Sequence, residues 1–394
     1  MTLLMLGWCR STFASTPHLG FLSSAPLGSS STVSVSSPRP SPSQKIKAVS
    51  VSSSQQSQSE PVRSQKPIRS SLQALSAEKD SLCVPNTAEM GVHKELVTER
   101  YAVVTGANKG IGLEISRQLA QEGITVILTA RDEKRGMEAT ESLMKSELSN
   151  VVFHQLDVLD PASVESLAKF VETQFGRLDI LVNNAGASGV VVDVDGLKAL
   201  NIDPVSWLSG KATNLVQGVI QQTYEKAEEC LNTNYYGCKR VTEALLPLLQ
   251  HSVTGARIVN VSSLRSELKR IPNEAIRSEL GNLETLTEEK LDGILHKFLH
   301  DLKEGALEAN GWCTMLPAYS ISKVTLNAYT RVLAKKYPNM YINCVHPGFV
   351  NTDLNWHTGT MTVEEGAKGP VMLALLPSGG PSGCYFDQTK IAEF

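Results

Sequence analysis

Tyr319 and Lys323 stand four residues apart within "PAYSISKVTLNAY" (317–329), the spacing that places two side chains on one face of a helix. A phenol with an ordinary pKa of ~10 is a reluctant acid and a reluctant base. A neighbouring ammonium favours its charged form and brings that value down, which equips such a pair to pass a proton to or from an oxygen. Taken alone, the pair is as compatible with an ordinary surface turn as with an active site. Ser320 and Ser322 read as spacers, since no histidine or acid stands in register to activate either hydroxyl.

A second group with chemical potential lies in "TGANKGIGLEISRQLA" (105–120). Gly106, Gly110 and Gly112 have the spacing of a turn between a strand and a helix, where the backbone can approach a pyrophosphate and free N–H groups face the anion. A tight strand-to-helix turn alone is the competing explanation. Further on, Arg131 ends the next apolar run, where a carboxylate would favour NAD and a cation favours NADP. Lys109 and Arg131 could converge on a 2′-phosphate, with Arg135 one helical turn beyond; Asp132 complicates the assignment, and each charge could equally be a solvated surface group. Asp157, with the Val158 backbone beside it, either accepts the adenine amino group or caps a helix before Pro161. Asn183 and Asn184 lie along a cofactor or tie strand ends together.

The elements that must position these groups form a regular series. "YAVVTG" (101–106), "TVILTAR" (125–131), "VVFHQLDV" (151–158), "LDILVNNAG" (178–186), "ARIVNVSS" (256–263), "YINCVHPG" (341–348) and "CYFD" (384–387) are apolar runs of strand length separated by helical periodicity. That alternation predicts an α/β fold with a single doubly wound parallel sheet of seven strands, covered by helices on both faces. Ligands of such sheets bind beyond the carboxyl ends of the strands, where the residues above stand.

The rest of the composition narrows the class. Thirty-seven basic and forty acidic residues leave a net charge of -3, too balanced for a nucleic-acid-binding surface. No apolar run approaches the ~20 residues of a membrane-spanning helix. Seven scattered cysteines without a CxxC pair suggest reduced thiols and no metal centre. Residues 1–59 hold no Asp or Glu and are rich in Ser. Such a composition cannot bury enough apolar area to fold alone. It reads as a transit peptide over 1–50, with 51–96 a disordered linker and 97–394 the folded domain. Ser/Thr bias and scarce Arg favour the chloroplast stroma, and a cytoplasmic protein follows if the segment is a mere tail.

Six motifs in order, TGANKGIG, NNAG, NYYG (234–237), NVSS (260–263), YSISK (319–323) and HPG (346–348), resemble those of the short-chain dehydrogenase/reductases, over residues 98–394. "EECLNTNYYGCKRVTEALLPLLQ" (228–250), "TVEEGAKGPVMLALLP" (362–377) and "FDQTKIAEF" (386–394) resemble the plant branch of salutaridine, menthone and neomenthol reductases. The resemblance implies a Rossmann fold and NADP(H)-dependent reduction of a ketone or aldehyde, reversible as an alcohol dehydrogenase. It makes Tyr319 the catalytic acid, Lys323 its partner and a ligand of the nicotinamide ribose, Ser263 the hydroxyl that orients the carbonyl, and Asn234 the holder of a relay water. Cofactor contacts would come from Gly106, Asn108, Lys109, Gly110, Ile111 and Gly112. Arg131, Asp157, Val158 and Asn184 would add to them, and Pro347, Gly348 and Val350 would line the nicotinamide end.

Two departures from the family pattern matter. The gap between Ser263 and Tyr319 is far longer than usual, with an insert at about 265–315. Within it "LTEEKLDGILHKFLHDLKEG" (286–305) carries Leu291, Ile294, Leu295, Phe298, Leu299 and Leu302 on one helical face, with Thr287 and Gly305 as caps. Monomeric carbonyl reductases of this family carry a similar insert over the helices used elsewhere for assembly, so a monomer is expected. His346 stands where relatives often have Cys, either as a packed strand-end residue or in a catalytic role. Cys313, Met315, Leu316 and Trp356 are candidates for the substrate pocket. A non-catalytic NADP-binding sensor or scaffold is the alternative reading, and the presence of both Tyr319 and Lys323 counts against it.

Overall fold

Successive residues of a strand point to opposite faces, so strands that are apolar at both parities need cover on both sides. A computed structural model describes residues 99–394 and supplies that cover. The expected transit peptide (1–50) and linker (51–96) lie outside the described residues.

The chain opens with β1 (Tyr101–Val104), α1 (Gly110–Gln121), β2 (Thr125–Ala130), α2 (Glu133–Lys145), β3 (Val151–Gln155), α3 (Pro161–Phe175) and β4 (Ile180–Asn183). A small lobe follows, with β5 (Val191–Val192), α4 (Val194–Ala199), α5 (Pro204–Ser209), α6 (Thr213–Val216) and β6 (Ile220–Gln221). Then α7 (Tyr224–Leu231), a wide π turn at Asn232–Gly237 and α8 (Cys238–Gln250) lead to β7 (Arg257–Val261). The insert contributes α9 (Glu274–Gly281) and α10 (Glu288–Lys303). The chain closes with α11 (Pro317–Lys336), β8 (Tyr341–His346), α12 (Val363–Ala374), β9 (Tyr385–Asp387) and β10 (Lys390–Ala392).

The main sheet has the order β10-β9-β8-β7-β4-β1-β2-β3. It is parallel throughout except for β10, which returns antiparallel to β9. The doubly wound α/β architecture is as expected, but the strand count of seven is corrected to eight. The eighth escapes sequence reading because it is three residues long and mostly exposed, too short for an alternating pattern. A left-handed Gln388 (φ 55°) makes the tight reversal before it.

Two apolar layers flank the sheet. Val103, Ile127, Leu181, Ile258 and Ile342 pack with residues of α3, α8, α10 and α11. Their neighbours in sequence, Ala102, Val104, Val126, Leu128 and Val182, face α1, α2 and α12. The lobe has its own small core of Leu197, Trp207 and Val216, joined by Met315.

The insert helix α10 forms between the expected ends. Thr287 caps it by accepting from Lys290 N, and Gly305, just past its end, takes the left-handed φ of 66°. Leu291, Ile294, Leu295 and Phe298 are buried, while Leu299 and Leu302 are partly covered. This stripe lies against α7 and α11. Phe298 meets Trp312 edge to face at 5.2 Å, and Trp312 Nε1 donates to Asp301 at 2.8 Å. Phe298→Ala is expected to cost about 3–5 kcal/mol, as for other buried aromatic truncations, read as a lower midpoint in chemical denaturation.

Candidate active site

Two adjoining cavities open beyond the carboxyl ends of the strands. The larger, about 490 Å3, is lined by the β1–α1 loop, by Arg131, Asp157, Val158 and Asn184, and by residues 351–354 and 357. The smaller, about 110 Å3, is lined by Ser263, Tyr319, His346, Pro347, Gly348 and Val350. Ile111, Thr352 and Leu354 border both, so one site serves the two.

The larger cavity is shaped by missing side chains. A Cβ on Gly112 would overlap the Asn184 amide and approach Gly106 O to 2.7 Å. Gly106 has φ of 63°, and a Cβ there would stand 2.9 Å from Ala185 Cα. The glycines thus let β1, β4 and the start of α1 close together while leaving the α1 N-terminus facing the cleft, the arrangement that receives a pyrophosphate. Asn108, Lys109, Gly110 and Ile111 complete this wall. Asn184 donates to Thr105 O at 2.9 Å and to Gly106 O at 3.1 Å. Its amide therefore ties strand ends and holds the glycine loop in shape. Asn183 does the same deeper in the sheet, bonding Thr242 and Asn260.

Several open choices are settled by geometry. Asp160, not Asp157, caps α3 by accepting from Ala162 N. Asp157 instead faces the larger cavity, with one oxygen accepting from Leu159 N. Asp132 caps α2 by accepting from Arg135 N at 2.9 Å and pairs with the Arg135 guanidinium at 3.7 Å, so Arg135 is engaged on the helix. Arg131 is exposed at the cavity edge and has no carboxylate within salt-bridge distance among the described residues. Lys109 pairs with Asp353 at 2.5 Å, and His357 Nε2 reaches the same carboxylate at 2.9 Å, spanning the mouth of the cleft.

Tyr319, Ser263, Lys323 and Asn234 come together from three elements. Tyr319 and Lys323 share a face of α11, with Lys323 Nζ 5.8 Å from the Tyr319 ring centroid. Ser263 follows β7 and lies within hydrogen-bonding reach of the Tyr319 phenol. Its Oγ accepts from Arg265 N at 3.2 Å, leaving its proton free to be donated. Lys323 and Asn234 line neither cavity but sit buried directly behind the wall. A Cβ on Gly186 would stand 3.4 Å from Asn234 Oδ1 and 4.0 Å from Lys323 Nζ. Asn234 sits in the π turn, a feature common at functional sites. Its Oδ1 accepts from Ala187 N at 2.8 Å, and its Nδ2 donates to Ala187 O and to Ser322 Oγ, each at 3.0 Å. Ser322 is therefore more than a spacer, since its hydroxyl helps hold Asn234.

The electrostatics differ from the sequence expectation at one point. Burial pushes the Tyr319 phenol up to about 12, opposed by the hydrogen bond to Ser263 and by the positive charge of Arg265. Lys323 does not pull it down, because its Nζ is turned to Val261 O at 2.7 Å and burial lowers the ammonium to about 8. The ammonium that the one-face spacing places near the phenol thus spends one of its three donors on the backbone.

His346 is the packed strand-end residue of the first reading. It is packed at the end of β8, where burial lowers its pKa to about 4 against the pull of Asp387 and Glu267, and it also borders the smaller cavity. Leu316 and Trp356 line that cavity, whereas Met315 joins the lobe core and Cys313 bonds Arg270 O. Sequence reasoning missed the rest of the wall. Trp207 and Leu208 arrive from the lobe, Phe349 from the loop after β8 and Arg265 from the turn after Ser263. No motif marks them.

A glycine-shaped cleft feeding a tyrosine–serine cavity defines a pyridine-nucleotide oxidoreductase. The short chain dehydrogenase family matches residues 100–275. "Short-chain dehydrogenase/reductase 1" of Saponaria officinalis is 58% identical over 302 residues, covering 76% of this chain and 97% of that protein. (+)-Neomenthol dehydrogenase of Arabidopsis thaliana is 53% identical, covering 75% and 99%. The structure of salutaridine reductase from Papaver somniferum superposes with a TM-score of 0.69 at 51% identity, covering 73% of this chain and 99% of that one. The chain belongs to the short-chain dehydrogenase/reductase family, in its plant branch, and its reaction class is carbonyl reduction.

Proposed function

We propose that the protein is an NADPH-dependent reductase of a ketone or aldehyde, with Tyr319 as the proton donor. The observation that carries this reading is the placement of Tyr319 and Ser263 in one small cavity opening onto the glycine-lined cleft. The cleft fits a dinucleotide, since the space it offers is what Cβ atoms on Gly106 and Gly112 would fill. When bound, the nicotinamide supplies the hydride. Ser263 donates a hydrogen bond to the carbonyl oxygen and holds it at the Tyr319 phenol. Tyr319 passes its proton to that oxygen as negative charge develops there, and is reprotonated from solvent through the region held by Asn234. Lys323 stands behind the wall, ready to hold ribose hydroxyls. Pro347, Gly348 and Val350 shape the nicotinamide end.

Apolar walls from Trp207, Leu208, Phe349 and Trp356 suit a terpenoid- or alkaloid-like carbonyl, in keeping with the names of the neomenthol and salutaridine relatives. NADPH oxidation against a panel of such ketones and aldehydes tests the function. Tight NADPH binding with no turnover on any member would favour a sensor instead.

Preference for NADPH rests on Arg131, a cation at the cleft edge with no carboxylate partner among the described residues, with Lys109 on the same cleft but paired to Asp353. Arg131→Ala is expected to weaken NADPH by about 30- to 100-fold, as for loss of a charge-assisted contact, while NADH binding changes little. Titration of nucleotide fluorescence reads both, and equal losses would remove the 2′-phosphate assignment. A monomer is supported by α10 lying over α7 and α11. Light scattering at micromolar concentration should give one chain mass, and a stable tetramer would refute this. Delivery to the plastid is supported by the acid-free, Ser-rich residues 1–59. A fluorescent fusion of the full chain should enter chloroplasts and lose that address when those residues are deleted.

A further inference from the structure

The smaller cavity contains one feature that reduction of a plain ketone does not use. Arg265, two residues after Ser263, is buried (8% exposed) and lines the cavity beside Tyr319. Its Nη2 donates to Trp207 O at 2.6 Å, which leaves most of its five donors to other partners. The nearest acid in sequence, Glu267, is taken by Lys269 and Arg270, each at 2.9 Å. No carboxylate among the described residues lies within salt-bridge distance of Arg265. Burial, together with repulsion from Arg270, another cation, lowers the guanidinium to about 10.

A buried cation without an anion is costly unless something supplies one. Structural arginines in this chain show the usual alternative. Arg257, also buried, spends its donors on Leu376 O, Thr254 and Gly255 O. Arg265 does not, and the rest of its cavity wall is largely apolar.

We propose that Arg265 is a substrate-binding residue that holds a second oxygen close to the reacting carbonyl, so that the preferred substrates are vicinal diketones or α-oxo carboxylates. This rests on carbonyl reduction at Tyr319. The reacting oxygen sits between Ser263 and Tyr319, and the second oxygen faces the guanidinium, where a planar fork of N–H donors suits an oxygen pair. The same contact fixes which face of the carbonyl meets the hydride. The two sources of that oxygen share their hydrogen-bond acceptor and differ in charge.

The test compares acetophenone, acetylbenzoyl and benzoylformate, which share one aryl ketone and carry no second oxygen, a neutral one and an anionic one. Steady-state kcat/KM with NADPH is measured for the wild-type chain and for Arg265→Met and Arg265→Gln, with NADPH binding checked in each. Dividing variant by wild type removes the intrinsic electrophilicity of the dicarbonyls. The expected result is that both variants lose about 30-fold more activity toward acetylbenzoyl or benzoylformate than toward acetophenone, in line with a charge-assisted hydrogen bond. A loss confined to benzoylformate assigns a carboxylate, and one shared with acetylbenzoyl assigns a neutral oxygen. Equal loss on all three compounds, in variants that bind NADPH normally, would overturn the proposal and make Arg265 a tether for the lobe. A wild-type chain that reduces other ketones of the panel but none of the three would also overturn the proposal, whereas one that binds NADPH yet reduces no carbonyl compound at all would instead bring down the reductase reading itself.

Discussion

Tyr319→Phe is expected to lose at least about 10³-fold in carbonyl reduction while binding NADPH normally. The ring of Tyr319 forms part of the cavity wall, and phenylalanine keeps that wall; only the hydroxyl is lost. General acid catalysis is worth roughly 10²–10⁴-fold, and the upper part of that range applies because no carboxyl group among the described residues lines this cavity and the Arg265 guanidinium serves as a hydrogen-bond donor. His346 is held neutral at ordinary pH, with its pKa lowered to about 4, and Ser263 is too weak an acid to substitute. The raised pKa of Tyr319, about 12, sets the direction of the pH response. Below that value the phenol carries its proton, so reduction has its donor throughout the neutral range. Oxidation of the alcohol needs the phenolate and should rise with pH. Stopped-flow measurement of hydride transfer in both directions checks the contrast, and a Tyr319→Phe variant with unchanged turnover would remove the proton-donor role.

Lys323→Met is expected to lower kcat/KM by about 10²-fold and to weaken NADPH binding as well. The two effects have one source. Lys323 Nζ is buried, bonded to Val261 O and placed close behind Gly186 on the wall of the larger cavity, where an ammonium can hold ribose hydroxyls. Burial lowers its pKa to about 8, so the charge is present below that pH and fades as pH rises through it. NADPH affinity of the wild-type chain should therefore fall above about pH 8, while that of Lys323→Met stays flat over the same range. A variant whose binding retains the wild-type pH profile would show that Lys323 does not touch the cofactor.

The contrast between Lys323 and Arg265 shows where sequence reading stopped. Spacing of four on a helix places Tyr319 and Lys323 on one face, and the structure does so. Whether the ammonium then faces the phenol depends on what else competes for it. Val261 O, on a strand 62 residues earlier, takes the ammonium, and the cation that opposes burial at Tyr319 is Arg265. Nothing in a single arginine inside an insert announces this. Asp157 illustrates the same limit. In sequence it is open both to the adenine amino group and to a helix cap before Pro161, and in the fold Asp160 holds the cap of α3.

Local pattern by itself determined the alternation of strands and helices, the caps and apolar stripe of α10, the glycine turn before α1 and the Tyr319–Lys323 face. Each of these depends on residues within one or two turns of each other, where backbone period and steric limits act directly. Tertiary structure alone decided the eighth strand, the wall built by Trp207 and Phe349, the Lys109–Asp353 pair 244 residues apart in sequence, and the buried guanidinium beside Tyr319. These contacts exist only once the layers have packed, because burial and competition for partners set the charge and direction of a side chain.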